Sequence, residues 1–228
     1  MSGSLPVTDP AGDLIAEDLA CRRGERLIFA GVSFRLPAGG ALVLTGANGS
    51  GKTSLLRLLA GLIGAAAGRL AWGSAPLADD VAGHRARLHY VGHQDGVKPG
   101  LTPRETLAFW AALRGVDVRR RAPLLDAALA AFALERVADW PCRWLSAGQR
   151  RRLALARLFV APASLWLLDE PFSALDRDNR MRLERAIEAH RAQSGRIVLA
   201  THMPLEIGAT ASLVLDAFAP ARGDVADG

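Results

Sequence analysis

The stretch Gly46-Ala47-Asn48-Gly49-Ser50-Gly51-Lys52-Thr53 has the spacing Gly-x-x-x-x-Gly-Lys-Thr and directly follows the apolar run Ala41-Leu42-Val43-Leu44-Thr45. A glycine-rich turn at the end of a strand lets successive backbone N–H groups point inward on phosphates. Lys52 then places a point charge between the outer two, and Thr53 offers its hydroxyl to Mg²⁺. All but two of the 28 basic residues are arginine, so lysine at position 52 departs from the habit of this chain. A compact ammonium fits among phosphate oxygens where the wider guanidinium fork does not.

Three more apolar runs, Leu88-His89-Tyr90-Val91, Leu165-Trp166-Leu167-Leu168 and Ile197-Val198-Leu199-Ala200-Thr201, are mostly continuous rather than alternating. That pattern predicts strands of a parallel sheet covered on both faces. Each is followed by polar residues: Gln94, then Asp169-Glu170, then His202. Ligands of an open α/β sheet sit outside the carboxyl ends of its strands, so one nucleotide could meet all four segments. Asp169 is assigned to the metal, Glu170 to the attacking water as general base, Gln94 to water or metal, and His202 to the γ-phosphate. Adjacent acids ending a buried strand repel unless a cation lies nearby. His93, beside Gln94, reads as structural.

Leu145-Ser146-Ala147-Gly148-Gln149 precedes Asp169 by about 20 residues and opens a helical stretch over Arg150–Phe159, stopped by Pro162. Small residues in a first helical turn leave N–H groups and a positive dipole end exposed, a second phosphate site. The phosphate loop already surrounds its own nucleotide. Both sites are therefore used most simply in a head-to-tail dimer, with each nucleotide between the loop of one subunit and Ser146, Gly148 and Gln149 of the other. Read alone, the segment is also an ordinary helix N-cap.

The 228 residues, half of them hydrophobic, suffice for one α/β core with a smaller inserted lobe. Met1–Gly12 lacks Lys and Arg and any long apolar stretch, unlike a secretion signal. The longest uncharged apolar stretches fall short of the roughly 18 residues a membrane span requires, so a soluble cytosolic chain is expected. Cys21 and Cys142 have no metal-ligand spacing and read as ordinary thiols of a reducing compartment. The runs Arg119-Arg120-Arg121 and Arg150-Arg151-Arg152 in a chain of formal charge +5 read as a solvated face. No aromatic residues interleave them to promote nucleic-acid binding, and none is expected.

In order, and over nearly its full length, the chain resembles the nucleotide-binding subunits of ATP-binding-cassette transporters. The matching segments are the phosphate loop Gly46–Thr53, a Q-loop with Gln94, the signature Leu145–Gln149, a Walker B strand ending at Asp169 with Glu170 next, a D-loop Ser173-Ala174-Leu175-Asp176, and the switch histidine His202. The resemblance implies a P-loop NTPase of the ABC ATPase type: one domain over 1–228, a central mostly parallel sheet, an N-terminal antiparallel β subdomain, and a helical lobe inserted at about 102–145. It implies ATP and Mg²⁺, a dimer formed on ATP binding, and separately encoded integral membrane subunits. These would be met in a groove near the Q-loop, for which Val97, Lys98, Leu101, Phe109 and Trp110 are candidates; for the two aromatics ordinary core packing is the stronger reading. The forms Gly-His-Gln and Leu-Ser-Ala-Gly-Gln are similar to those of the haem-exporter ATPases of bacterial cytochrome c maturation. That subgroup implies peripheral attachment at the cytoplasmic face of the inner membrane and release of haem-loaded chaperone. Another small exporter, or a soluble cassette ATPase acting on nucleic acid or the ribosome, are the alternatives. Two positions depart from the family pattern: Ala147 replaces the usual Gly, and no aromatic platform for adenine stands near Cys21-Arg22-Arg23-Gly24, where Arg22 or Arg23 could stack instead.

Overall fold

The structure, a computed structural model, describes residues 12–203, Gly208 and residues 211–220. The first eleven residues, weighed above against a secretion signal, lie outside the described residues. The chain opens with a hairpin of β1 (Leu14–Arg23) and β2 (Arg26–Leu36), whose tight turn pairs Arg23 with Arg26. Then come β3 (Ala41–Thr45), the phosphate loop and α1 (Lys52–Leu59), followed by β4 (Ala67–Trp72), the short β5 (Ala75–Pro76), α2 (Val81–Ala86) and β6 (Leu88–Val91). Helical segments follow: α3 (Pro103–Leu113), α4 (Val118–Ala131) and α5 (Ala147–Ala156). The chain returns through β7 (Leu165–Asp169), α6 (Arg177–Ala192), β8 (Arg196–Ala200) and β9 (Ala211–Val214).

Two sheets result. The first is antiparallel, in the order β2-β1-β4-β5, and the second is five-stranded, in the order β6-β7-β8-β3-β9, with every pairing parallel. This is the expected α/β architecture. The unbroken apolar runs are explained by period-2 alternation between two cores. Leu165 and Leu167 of β7 join Leu42, Leu44, Val198 and Ala200 against α1 and the antiparallel sheet. Trp166 and Leu168 join Ile197 and Leu199 against α3, α4, α5 and α6. A strand that feeds two cores has no polar face to show.

Helix starts follow local chemistry. In α3 a capping box joins Thr102 and Glu105 with Pro103 in the first turn, and in α5 the same box joins Ser146 and Gln149, satisfying N–H groups that have no partner inside the helix.

One expectation is corrected. Arg150-Arg151-Arg152 is not a solvated face: Arg151 is 3% exposed, and Arg150 and Arg152 donate to the carbonyls of Leu145, Phe132 and Ala133. For Arg151 the reason is the carbonyls of Gly92, Asp169 and Glu170, which accept from it, part of a wider pattern along β6, the edge strand of the parallel sheet, and the residue that follows it. The outward carbonyls there, at Leu88, Tyr90 and Gly92, accept from Arg114, Arg157 and Arg151 in turn. Charge runs solvate only where no buried carbonyl needs a donor.

Three histidines sit in or against these cores. His84 accepts from the Trp72 indole at 3.0 Å through Nδ1 and meets the Leu59 carbonyl through Nε2, His89 meets the Ala161 carbonyl at 2.9 Å, and His190 stacks on Trp166 with centroids 4.0 Å apart. Burial, reinforced by the Arg114 charge, pushes His89 down to about 3; burial pushes His190 to about 4 and lowers His84. Their folded pKa values lie below the unfolded value, so the unfolded chain takes up protons first as the pH falls. Stability is therefore full above about pH 6.5 and is lost toward pH 4 at up to about 1.4 kcal/mol per pH unit for each of His89 and His190, with His84 adding to the loss in the same direction. Urea midpoints measured from pH 7 to pH 4 should fall accordingly. His89→Gln, which keeps a donor for Ala161, should make that fall shallower; an unchanged slope would contradict the assignment.

Candidate functional site

The carboxyl ends of β3 and β7 meet at a cavity of about 420 Å³, within the range of small-ligand sites. Asn48, Gly49, Gly51, Lys52 and Thr53 form one wall, Asp169 and Glu170 another, and Arg23, Ile28, Arg57 and His93 complete it. Gly51, at φ 105, caps the start of α1, so the helix dipole and the loop N–H groups act on one point. Lys52 donates to the carbonyls of Gly46 and Ala47 at 2.7 and 2.9 Å. Its ammonium therefore lies across the loop rather than away from it. The loop is held from outside as well: Asp216, just past β9, accepts from the Ala47 N–H at 2.9 Å. A Cβ at Gly46, where φ is 133, would meet that carboxylate at 2.6 Å, so only glycine fits the corner.

Thr53 donates through Oγ1 to Asp169 Oδ2 at 2.8 Å, and the Asp169 residue is 2% exposed. A buried carboxylate and a hydroxyl side by side at the cavity wall form an oxygen-only donor set, which suits a hard cation that keeps waters and substrate phosphates as its other ligands. The residues present thus fit Mg²⁺. Glu170 follows with backbone φ 46, in the left-handed region that costs a non-glycine residue about 1–3 kcal/mol. Its N–H donates to the Ala200 carbonyl at 2.9 Å, and its Oε2 lies 3.0 Å from His202 Nδ1.

The expected residues fall into three groups. Asn48, Gly49, Gly51, Lys52 and Thr53 of the phosphate loop line the cavity with Asp169 and Glu170, while Gly46, Ala47 and Ser50 do not; His202 joins them through Glu170, its own side chain being 76% exposed. Gln94 is exposed and off the cavity wall, where its neighbour His93 stands instead. Ser146, Gly148 and Gln149 are also off it; Ser146 Oγ accepts from Gln149 N, and Gln149 Oε1 accepts from Ser146 N. At Gly148 an added Cβ would stand 3.0 Å from the Ala174 carbonyl, so the D-loop packs directly on the signature helix. Between Arg22 and Arg23, the cavity has Arg23 as its wall.

Sequence reasoning missed Ile28, Arg57, His93 and Asp216. Ile28 and Asp216 reach the site only through tertiary contact, while His93 could have been found from its place one residue before Gln94. A second, largely apolar cavity of about 670 Å³ lies beside β6, lined by Leu62, Leu88, Tyr90, Trp110, Leu113 and Arg157 among others. Of the five groove candidates it takes only Trp110; Phe109 is 51% exposed.

The family model described as ABC transporter matches residues 29–173. The chain belongs to the ABC transporter family. This ATPase is 56% identical over 204 residues to the "Cytochrome c biogenesis ATP-binding export protein CcmA" of Rhodospirillum rubrum, covering 90% of this chain and 86% of that one. It is 52% identical to the protein of the same name from Paramagnetospirillum magneticum (91% and 95% covered), and 47% identical to that of Pseudomonas putida (85% and 90%). Among solved structures, one described as "Structure of ATP binding subunit of ABC transporter" superposes with a TM-score of 0.77 at 25% identity, covering 84% of this chain and 80% of that one.

Arg23→Ala is expected to weaken ATP binding about two- to fivefold, the loss of a cation–π contact worth 0.5–1 kcal/mol at an exposed site, and to narrow the preference for ATP over GTP. Fluorescent-nucleotide competition checks both; no change for either nucleotide would remove the stacking role.

Proposed function

We propose that the chain is the ATP-hydrolysing subunit of a bacterial export complex of cytochrome c biogenesis, most similar in kind to haem exporters, and that it powers release of haem-loaded chaperone through a separate membrane subunit. The observation that carries the ATPase reading is the meeting of Lys52, Thr53, Asp169 and Glu170 at one cavity. The cargo reading is supported by relatives at 47–56% identity that share the name of a cytochrome c biogenesis export protein.

In this reading the loop N–H groups and Lys52 hold the β- and γ-phosphates of ATP. Lys52 must exchange its two loop carbonyls for phosphate oxygens, a charge-assisted trade that favours the ligand. Thr53 and Asp169 would hold Mg²⁺, whose chemistry is to neutralise charge on the phosphoryl oxygens. Glu170 takes a proton from a water as the water oxygen attacks the γ-phosphorus and the bond to the bridging oxygen breaks, giving ADP and phosphate. His202, 3.0 Å from Glu170, orients that carboxylate and contacts the γ-phosphate; Gln94 contacts water or metal once its loop is drawn to the site.

Ser146, Gly148 and Gln149 complete the site of a second subunit in a head-to-tail dimer. Their distance from the chain's own cavity and the two free N–H groups of Ala147 and Gly148 at a helix start support this. The apolar cavity beside β6, with Leu62 and Leu113 exposed at its mouth, suits a helix of the membrane subunit. No helix among the described residues is long and apolar enough to cross a membrane, so attachment to the cytoplasmic face of the inner membrane would run through that subunit.

Glu170→Gln is expected to bind ATP normally, lose turnover by roughly 10²–10⁴-fold and accumulate as a dimer on size-exclusion chromatography with ATP; a monomer under those conditions would overturn the composite site. Ser146→Arg should cost about 1 kcal/mol of helix capping yet leave nucleotide affinity within about twofold while blocking hydrolysis. Full turnover in that variant is incompatible with a site shared between subunits. Co-purification from solubilised membranes separates the cargo readings: a ribosome or DNA partner would defeat transport altogether, and an unrelated membrane protein only the cytochrome assignment.

A further inference from the structure

Arg151, off the cavity wall, makes four polar contacts through one guanidinium. It leaves α5 one turn after the signature and buries its guanidinium at the carboxyl ends of β6 and β7. Nη1 donates to the Gly92 carbonyl at 2.9 Å and lies 3.2 Å from Asp95 Oδ1, while Nη2 donates to the carbonyls of Asp169 and Glu170 at 2.7 and 2.8 Å. Three segments that are far apart in sequence thus share one planar group: the loop that carries Gln94, the end of the metal-holding strand, and the helix that follows Ser146. The Asp95 carboxylate is only 25% exposed, which keeps the pair from full screening.

Glu170 needs such a brace. Its left-handed backbone persists only where surroundings over-determine it. Beside the Ser173 N–H, which donates to its carbonyl at 3.1 Å from within the same turn, two long-range contacts do so: its N–H on the Ala200 carbonyl and its carbonyl on Arg151. The second contact depends on where the Gly92–Asp95 segment sits, because the same guanidinium is pinned there by its other edge.

We infer that Arg151 is a positioning residue: it holds the backbone of Glu170 in the hydrolysis-competent conformation and makes that conformation conditional on the seating of the Gly92–Asp95 loop. Nucleotide binding does not require the brace, because the phosphate loop is held independently by Lys52 and Asp216. The turnover step does, because a general base displaced by about 1 Å loses on the order of a hundredfold in rate. The inference rests on the reading of Glu170 as the base. Lysine cannot replace the arginine fully, since one ammonium cannot span carbonyls on both sides of the planar fork.

The test measures ATP affinity, kcat and KM for Arg151→Ala, Arg151→Lys, Asp95→Asn and the double variant Arg151→Lys/Asp95→Asn in the full chain with Mg²⁺. Expected are affinities within about twofold of the parent, kcat lowered about a hundredfold in Arg151→Ala and less in Arg151→Lys, and a double variant no slower than Arg151→Lys alone, because the two residues act through one contact. A parent-like kcat in Arg151→Ala, or affinity falling in step with kcat as a general loss of folding would produce, overturns the proposal. Should Arg151→Ala not fold, Asp95→Asn decides: reduced kcat at unchanged KM supports the brace, and an unchanged kcat defeats it. Glu170→Gln run alongside separates the two readings, since normal turnover there would remove the base itself, whereas a dead Glu170→Gln beside a fully active Arg151→Ala removes only the brace.

Discussion

The fold turns on how the edge of its parallel sheet is closed. β6 has β7 on one side only, so alternate carbonyls, those of Leu88, Tyr90 and Gly92, face away from any strand. Buried carbonyls left without donors cost about 1–3 kcal/mol each, and an open edge invites another strand. Here Arg114, Arg157 and Arg151 occupy that edge. Arg114 also reaches the Arg85 carbonyl, and Arg157 stacks its guanidinium 4.7 Å from the Trp110 ring centre. Burial lowers both cations, Arg157 to about 10, yet both stay charged at neutral pH. The arginine habit of the chain has a structural use: one planar group with five N–H donors can satisfy several fixed carbonyls, and a lysine cannot.

These contacts also join function to fold. Arg114 and Trp110 belong to the α3 region, Arg151 and Arg157 to the stretch opened by Ser146, and all of them fasten to the strand that leads to Gln94. A shift of the helices against the core must therefore pull on β6 and its following loop, and through Arg151 on the carbonyl of Glu170. The phosphate loop is fastened elsewhere, by Asp216 beyond β9. The phosphate loop and the backbone of Glu170 are thus supported by different parts of the molecule.

Much was legible beforehand because the chemistry is local. The spacing of Gly46, Gly51, Lys52 and Thr53 marks a phosphate-type loop, and of the four apolar runs that end in polar residues those of β3 and β7 do meet at one cavity. The adjacent pair Asp169-Glu170 needed no tertiary information to suggest a metal and a base. Where local reading failed, the missing fact was a long-range contact. Arg150–Arg152 has the look of a solvated run, and only carbonyls brought to it by the fold, those of Phe132, Ala133, Gly92, Asp169 and Glu170 among them, engage it. Phe109 and Trp110 are adjacent in sequence, yet the helix turns one to solvent and the other against the apolar cavity.

The sequence by itself determined the phosphate loop, the parallel core and the order of the family's segments, because each follows from backbone freedom, periodicity or spacing within a few residues. The tertiary structure alone decided that Arg23 rather than Arg22 walls the cavity, that His93 stands there while Gln94 does not, and that Asp216 meets the phosphate loop and Arg151 the Glu170 carbonyl. Those outcomes depend on which distant carbonyl or carboxylate lies within about 3 Å of a donor, a distance fixed only when both cores have closed around the sheet.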